Sequence, residues 1–97
     1  MAFTVYILEC ADRSLYIGHT DDLDARMQQY DAGTCGSYTA TRRPLTLLHA
    51  EAFETRYEAL SMERKLKGWS RAKKLAWVRG DWDAVHDLAR TAQRKRR

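Results

Sequence analysis

Short runs of β-branched and aromatic residues near the amino terminus predict a β-hairpin. Phe3–Glu9 and Leu15–His19 both have the composition of strands. The residues between them, Ala11 to Ser14, favour a turn. We therefore expect the chain to begin with two antiparallel strands.

The length of the hairpin loop decides whether two tyrosines meet. A loop of two or four residues would place Tyr6 and Tyr16 on opposite faces of the sheet, because side chains alternate along a strand. A three-residue loop would instead pair Leu8 with Tyr16 and place both phenols on one face. That loop requires Arg13 in the left-handed conformation that normally favours glycine.

A helix and a third strand are expected next. Leu23, Met27 and Tyr30 recur at helical spacing after acidic residues that suit a helix amino terminus, and a glycine at position 33 can end the helix. Arg26 lies at the edge of this apolar stripe. The segment from Thr34 to Pro44 is expected to be a loop, and Leu45–Phe53 has the composition of a strand.

The second predicted helix contains an unusual carboxylate. Thr55 and Glu58 form a capping-box pattern, and the helix is expected to run to Lys67 before Gly68 ends it. Glu63 falls inside the apolar stripe of this helix. A carboxylate on a core-facing side is costly unless it is paired or bound to a cation.

Two further helices complete an α+β fold. Ser70 is expected to cap a helix over Arg71–Arg79, with Leu75 and Val78 turned inward. A last helix would start at Asp81 or Asp83 and run to about Ala92. The predicted architecture is a small three-stranded antiparallel sheet in the order β-β-α-β-α-α, flanked by helices and followed by this C-terminal helix.

The length predicts a single domain over residues 1–97, since a chain of this size supports only one modest core. The motif-bearing core is expected over about residues 3–78, followed by a C-terminal helix and basic tail over 81–97. No apolar run is long enough for a membrane span, and no signal peptide is evident. The two cysteines have no CxxC spacing, so we expect a reduced cytoplasmic protein.

Charge is unevenly distributed along the chain. Residues 1–52 contain 4 basic and 7 acidic side chains, a net charge of −3, whereas residues 53–97 contain 13 basic and 6 acidic side chains, a net charge of +7. Positive charge concentrated in one half of a chain attracts polyanions, nucleic acid above all. The alternative is a solvated helix face beside a basic tail.

Four ordered motifs resemble the GIY-YIG nuclease family. Thr4-Val5-Tyr6 stands where the family has GIY, and Tyr16-Ile17-Gly18 reproduces YIG. Residues 23–27 resemble the arginine helix of the family, and residues 58–63 resemble its EAL-x-x-E segment. The loop from Tyr38 to Pro44 and the helix start from Trp69 to Lys74 are closest to the small single-domain YhbQ-like branch.

The resemblance implies cleavage of DNA phosphodiester bonds with one Mg²⁺ or Mn²⁺ ion. Glu63 would be the sole protein ligand of the metal, and Arg26 would bind the scissile phosphate. Tyr6 would be the general base, provided that the metal and Arg26 lower its pKa, and Tyr16 would position phosphate or water.

The residue at position 30 departs from the family pattern, which usually has a histidine there. The Tyr30 phenol can hydrogen-bond a phosphate, but it does not readily exchange protons near neutrality. His19, directly after the YIG match, is an alternative group for that task. Nucleic-acid contacts are expected from the loop and the basic helices, at Tyr38, Thr39, Arg42, Arg43, Lys65, Lys67, Arg71, Lys73 and Lys74.

The favoured function is a metal-dependent DNA nuclease that selects DNA structure rather than sequence, with a role in DNA repair or processing. We expect DNA as partner, no membrane and no small-molecule cofactor, with a protein of a repair complex as a further possible partner. The alternative from another class is a catalytically weak or inactive nucleic-acid-binding module on the same scaffold.

Overall fold

The computed structural model describes residues 2–85 of the chain. The chain divides after Lys67 into two compact units. The single domain predicted over residues 1–97 stays a prediction. Among the described residues, no helix is long and apolar enough to cross a membrane.

The first unit contains three strands and two helices in the predicted order, together with a short third helix that was not predicted. These are β1 (Phe3–Glu9), β2 (Leu15–Thr20), α1 (Leu23–Ala32), α2 (Ser37–Ala40), β3 (Thr46–Phe53) and α3 (Arg56–Gly68). The sheet is antiparallel with the strand order β2-β1-β3, so β2 is an edge strand. The predicted α+β fold is confirmed.

The hairpin between β1 and β2 has the three-residue loop. Leu8 is opposite Tyr16, and the backbone N–H of Cys10 donates to the carbonyl of Ser14 at 2.9 Å. Arg13 adopts a φ of 73°, the left-handed conformation that this loop requires. The register therefore places the tyrosines of β1 and β2 on the same face of the sheet.

One face of the sheet packs against α1. The buried centre of this cluster consists of Tyr6, Leu8 and Tyr30. Around it lie the partly buried side chains of Tyr16, Leu23, Met27, Cys35, Leu45 and Ala50. Helix α1 begins at its cap Asp22 and ends at Gly33, whose φ of 75° provides the left-handed termination expected of a glycine.

The other face of the sheet carries the buried side chains of Val5, Ile7 and Ile17. Helix α3 lies on this side, because the Arg56 guanidinium at its first turn is 4.9 Å from the centre of the Phe3 ring. The predicted cap is present, with Thr55 Oγ1 accepting from the Glu58 N–H at 3.1 Å. The sheet thus separates two helical layers.

The segment predicted as a loop contains helix α2. This four-residue helix follows Gly36, which has a φ of 88°, and its buried residue is Thr39. The Thr39 hydroxyl donates to the carbonyl of Cys35 at 2.8 Å. The sequence of α2 has no apolar periodicity to reveal it, and the Thr39 hydroxyl ties the helix to the residue before its cap.

The second unit is described over residues 68–85. Helix α4 (Arg71–Val78) begins at the predicted cap Ser70, whose side chain accepts from the N–H of Lys73. Its buried residues are Ala76 and Trp77. The predicted inward positions, Leu75 and Val78, are only half-buried, since burial of the large Trp77 side chain sets the inner face of this short helix.

Residues 82–85 are helical after Asp81, whose carboxylate accepts from the N–H of Ala84 at 3.1 Å. Asp81, rather than Asp83, therefore caps the last helix. The remainder of that predicted helix and the basic tail over 93–97 lie outside the described residues.

Replacing Arg13 tests the hairpin loop. Arg13→Gly is expected to raise the free energy of unfolding by about 0.5–1 kcal/mol. Glycine adopts a left-handed φ without steric cost, and this gain is only partly offset by the larger chain entropy that glycine loses on folding. Urea denaturation measures the change. Arg13→Ala, which removes the side chain but keeps the backbone cost, should not stabilise; equal stabilisation by both variants would contradict a strained loop.

Candidate active site

The Tyr6 side chain crosses over β2 at Gly18. The two residues are paired in the sheet, and the Tyr6 side chain is almost completely buried. A Cβ atom at position 18 would lie 2.5 Å from the Tyr6 hydroxyl oxygen and 2.8 Å from Cζ. The glycine of the YIG motif therefore leaves the space through which the Tyr6 hydroxyl reaches the edge strand.

The hydroxyl of Tyr6 meets that of Tyr30 on α1. Their oxygen atoms are 2.7 Å apart in a buried hydrogen bond, and the two rings pack edge to face. The Tyr16 ring also packs edge to face on Tyr30, with centroids 6.0 Å apart. Arg26, one turn before Tyr30 on α1, interacts electrostatically with both Tyr30 and Tyr6. The structure thus brings together four of the five predicted catalytic residues.

Burial controls the ionisation of the two bonded phenols. Burial raises the pKa of Tyr6, although the hydrogen bond with Tyr30 and the charge of Arg26 act in the opposite direction. Burial, reinforced by the hydrogen bond with Tyr6, raises the pKa of Tyr30 far above its usual value. Both phenols are therefore neutral near neutral pH, and either oxygen can donate the hydrogen bond between them.

Arg26 remains a cation in this cluster. Burial by itself lowers the pKa of the guanidinium, but the neighbouring Tyr6, Cys35 and Tyr30 groups raise it above its usual value. A guanidinium is a bidentate donor to phosphate oxygens. The half-buried Arg26 therefore supplies positive charge beside the two hydroxyl groups.

Glu63 lies in the apolar stripe of α3, as its sequence position predicts, and it is 8% exposed. Both carboxylate oxygens have partners. Oε1 is 3.0 Å from His19 Nδ1, and Oε2 is 3.4 Å from Lys67 Nζ. Lys67, predicted to contact DNA, thus pairs with Glu63; the Glu-x-x-x-Lys spacing was the sequence signal for this pair.

Glu63 and the phenols approach β2 at consecutive residues. The Tyr6 hydroxyl lies over Gly18, whereas Glu63 contacts the side chain of His19. Because side chains alternate along a strand, His19 and Glu63 are on the face opposite Tyr6. The candidate site therefore includes both faces of the edge strand, with the phenols and Arg26 on one side and the carboxylate on the other.

A second aromatic contact extends the phenol cluster toward the surface. The rings of Tyr16 and Tyr38 are stacked with centroids 6.1 Å apart, and the Arg42 guanidinium lies 3.7 Å from the centre of the Tyr38 ring. The Tyr38 hydroxyl donates to Ser14 Oγ at 2.9 Å, and Arg42 Nε donates to Asp12 at 3.0 Å. Tyr38 and Arg42 are thus placed beside the predicted catalytic Tyr16.

Two residues of the same segment form internal hydrogen bonds. Thr39 is buried and donates an internal hydrogen bond to Cys35, so the predicted DNA contact of Thr39 is wrong. Arg43 donates to the carbonyls of Asp31 and Ala40, near the carboxyl ends of α1 and α2, and its guanidinium packs at Gly33. These bonds satisfy helix-terminal carbonyls that otherwise have no intrahelical donor.

The remaining predicted DNA contacts are on α3 and in the second unit. Lys65 is exposed on α3. In the second unit Arg71 is exposed, Lys74 is half-buried, and Lys73 Nζ lies 4.2 Å from the centre of the Trp69 ring. This cation–π contact places the stem of Lys73 against an aromatic surface.

The donor set at Glu63 fits a mostly hydrated divalent cation. Residues 2–85 contain no group of three or more His, Cys, Asp or Glu side chains that could enclose a metal ion. A buried carboxylate beside an imidazole is a smaller donor set. Mg²⁺ is commonly held by one or two carboxylates while it keeps several waters, so Glu63 fits such an ion.

A family model described as the GIY-YIG catalytic domain matches residues 2–76. The chain belongs to the GIY-YIG family. This confirms the resemblance that the four motifs indicate. A GIY-YIG domain implies nuclease activity on DNA, and nucleases of this family generally use divalent metal ions.

Similar proteins belong to a group of small proteins named UPF0213, the YhbQ-like branch. A UPF0213 protein of Haloquadratum walsbyi is 47% identical over 70 residues, which cover 72% of this chain and 79% of that protein. A UPF0213 protein of Bacillus pumilus is 40% identical over 85 residues, which cover 84% and 87%.

Two solved structures are similar to this GIY-YIG protein. The solution NMR structure of a UPF0213 protein from Bacillus halodurans has 41% identity, covers 80% of this chain and 83% of its own, and gives a TM-score of 0.54. The solution NMR structure of a protein from E. faecalis has 35% identity and gives a TM-score of 0.61. The similarity covers 82% of this chain and 85% of that protein.

Alkaline denaturation tests the buried phenol pair. The pKa of Tyr30 in the folded protein lies above its unfolded value of about 10, so the unfolded chain releases this proton first as pH rises. Above that pH, the free energy of unfolding of the wild type should fall with pH more steeply than that of Tyr30→Phe. The difference in slope should be about 1.4 kcal/mol per pH unit. Urea midpoints across the alkaline range measure this difference.

Tyr57 provides the matched control, since its side chain is 80% exposed. Tyr57→Phe should follow the wild-type dependence on pH. If Tyr30→Phe loses stability at high pH as steeply as the wild type and Tyr57→Phe, the Tyr30 phenol is not held protonated by burial.

Proposed function

We propose that this protein hydrolyses phosphodiester bonds in DNA with the help of one divalent metal ion, and that it selects DNA structure rather than sequence. The observation that carries the proposal is the buried hydrogen bond between Tyr6 and Tyr30 beside Arg26, on the edge strand β2 whose other face holds the buried Glu63. Together they provide a phosphate-binding cation, a proton acceptor and a metal ligand.

Arg26 binds the phosphate in this proposal. Its guanidinium is half-buried beside the phenol pair, so a phosphate that reaches it is partly removed from water and the ionic attraction is strengthened. Negative charge that develops on the phosphate oxygens during attack is stabilised by the same group.

Tyr6 accepts the proton of the attacking water. Tyr30 supports this role because its hydroxyl is hydrogen-bonded to the Tyr6 oxygen, and a bond donated by Tyr30 would stabilise the phenolate. Burial keeps the pKa of Tyr6 above its usual value, so the reactive fraction is small at neutral pH. Activity should therefore increase from neutral to alkaline pH.

Tyr16, whose ring packs on Tyr30, positions phosphate or water.

Glu63 holds the divalent ion, Mg²⁺ or Mn²⁺, in this proposal. A bound divalent ion supplies positive charge that acidifies water and stabilises phosphate oxygens. The carboxylate is already buried and fixed by its partners His19 and Lys67, so little side-chain entropy is lost when it takes a ligand.

Tyr38 and Arg42 contact the DNA next to the scissile phosphate. Tyr38 is 42% exposed and stacks on Tyr16, and the Arg42 guanidinium lies over its ring, so a cation and the edge of an aromatic ring lie beside Tyr16. Further contacts to phosphates come from Lys65, Lys67, Arg71, Lys73 and Lys74.

The proposal also includes a role in DNA repair or processing, within the cytoplasm and with a protein of a repair complex as partner. Cys10 and Cys35 are both free thiols, which accords with a reducing compartment. The chain is small, and specificity for a long sequence would need an additional reading surface.

A second candidate function is DNA binding without cleavage. It is favoured by the raised pKa of Tyr6 and by Tyr30 at the usual histidine position, because neither phenol readily exchanges a proton near neutrality. In that case binding would be salt-sensitive and would persist without any cutting.

A cleavage assay on single-stranded, duplex, flap and junction DNA with Mg²⁺ or Mn²⁺ distinguishes the two functions. Wild type should cut, and Glu63→Gln and Arg26→Gln should each reduce the rate by about 100-fold or more while their circular dichroism is unchanged. Glu54→Gln is the control, since Glu54 is exposed between β3 and α3.

Salt-sensitive DNA binding with no cutting under either metal would favour the binding module. Cutting by Glu63→Gln at the wild-type rate would contradict the assigned role of this carboxylate.

A further inference from the structure

We propose that His19 is a second protein ligand of the divalent ion, beside Glu63, and that this chain consequently favours Mn²⁺ over Mg²⁺. The inference rests on the proposed function because it concerns the same ion. It assigns to His19 the direct binding of the metal through its Nδ1 atom.

The spacing of the two donor atoms suits one metal ion. His19 Nδ1 and Glu63 Oε1 are 3.0 Å apart. Two ligand atoms at right angles, each about 2.1 Å from an octahedral ion, are separated by about 3.0 Å. In this structure the two atoms share a hydrogen bond, and both would lie within reach of one ion that replaced it.

Both side chains are held in place before any ion binds. Glu63 is nearly buried on α3, and His19 is half-buried on β2. Helix and strand are rigid supports for metal ligands compared with loops. Lys67 contacts the other carboxylate oxygen, Oε2, and its side chain is 58% exposed, so it can move into water without leaving Oε1.

Proton balance permits His19 Nδ1 to exchange its hydrogen bond with Glu63 for a bond to a metal ion. A neutral imidazole carries one proton, which sits on Nδ1 when that atom donates to the carboxylate. When the proton is carried on Nε2 instead, the Nδ1 lone pair is free for a metal ion. The exchange moves one proton through solvent from one ring nitrogen to the other, and the charge of the side chain is unchanged.

The preference for Mn²⁺ follows from ligand chemistry. Mg²⁺ favours oxygen ligands and near-ideal octahedral geometry, whereas imidazole suits transition ions. A site with one carboxylate and one imidazole therefore gains more affinity for Mn²⁺ than for Mg²⁺. A site with Glu63 alone would discriminate less between the two ions.

His49 offers a matched comparison within the same sheet. Its Nε2 atom is 3.8 Å from Glu51 Oε1, and both side chains are more exposed than those of the His19–Glu63 pair. This spacing is wider than that of neighbouring ligands on one small ion. His49→Gln is therefore a control that removes an imidazole beside a carboxylate without touching the candidate site.

Binding of Mn²⁺ tests the inference without any measurement of cleavage. Titrations followed by electron paramagnetic resonance should show that His19→Gln binds Mn²⁺ at least about tenfold more weakly than wild type. Affinity for Mg²⁺, measured by competition, should fall by a smaller factor, and His49→Gln should match wild type for both ions.

Pulsed electron paramagnetic resonance detects a nitrogen bound to Mn²⁺ directly. Wild type and His49→Gln should show ¹⁴N modulation, and His19→Gln should lack it. A His49→Gln/His86→Gln variant has His19 as its one remaining histidine in the sequence. Grown with ¹⁵N-labelled histidine, it should replace the ¹⁴N pattern with that of ¹⁵N, which tests the inference even where the His19 variant does not fold.

The opposite results overturn the inference. If His19 merely forms an ion pair that competes with metal, His19→Gln will bind Mn²⁺ as tightly as wild type or more tightly, and no nitrogen modulation will appear. If the protein cleaves DNA but shows these binding results, the proposed function stands and only the role of His19 as a ligand is removed. Nitrogen modulation without cleavage would support the ligand assignment and contradict the nuclease.

Discussion

The close approach of the Tyr6 ring to the backbone of Gly18 is the constraint on which the rest of the site depends. The three-residue hairpin loop sets the register that places these two residues opposite each other. Because position 18 has no side chain, the Tyr6 hydroxyl extends over the edge strand and meets Tyr30, beside Arg26. A loop one residue longer or shorter would place Tyr6 and Tyr16 on opposite faces.

Protein partners compensate the buried polar groups of the site. The two phenols share one hydrogen bond, and the Glu63 carboxylate is bonded to His19 and Lys67. Among the described residues, no buried side-chain nitrogen or oxygen lacks a partner. Burial of such groups is costly when they are unpaired. These pairs allow a small domain to hold a carboxylate and two phenols partly out of water before substrate or metal arrives.

Local rules predicted the strands and the longer helices, but they left the length of the hairpin loop open and missed α2. The end of α1 at Gly33 and the capping box of α3 follow from short-range chemistry. The stacking of Tyr38 on Tyr16 and the helix-capping bonds of Arg43 join segments that are distant in sequence. No periodicity encodes these contacts, because tertiary packing selects them.

A double-mutant cycle at Gly18 and Tyr6 tests the central claim most directly. Gly18→Ala should lower the free energy of unfolding by about 1–3 kcal/mol, since its Cβ overlaps the Tyr6 ring. In a Tyr6→Leu background, which lacks the overlapping atoms, the same substitution should cost almost nothing, a coupling of about 1–3 kcal/mol. Gly68→Ala, where a Cβ meets no atom within 4 Å, serves as the control. An equal cost of Gly18→Ala in both backgrounds would contradict the account.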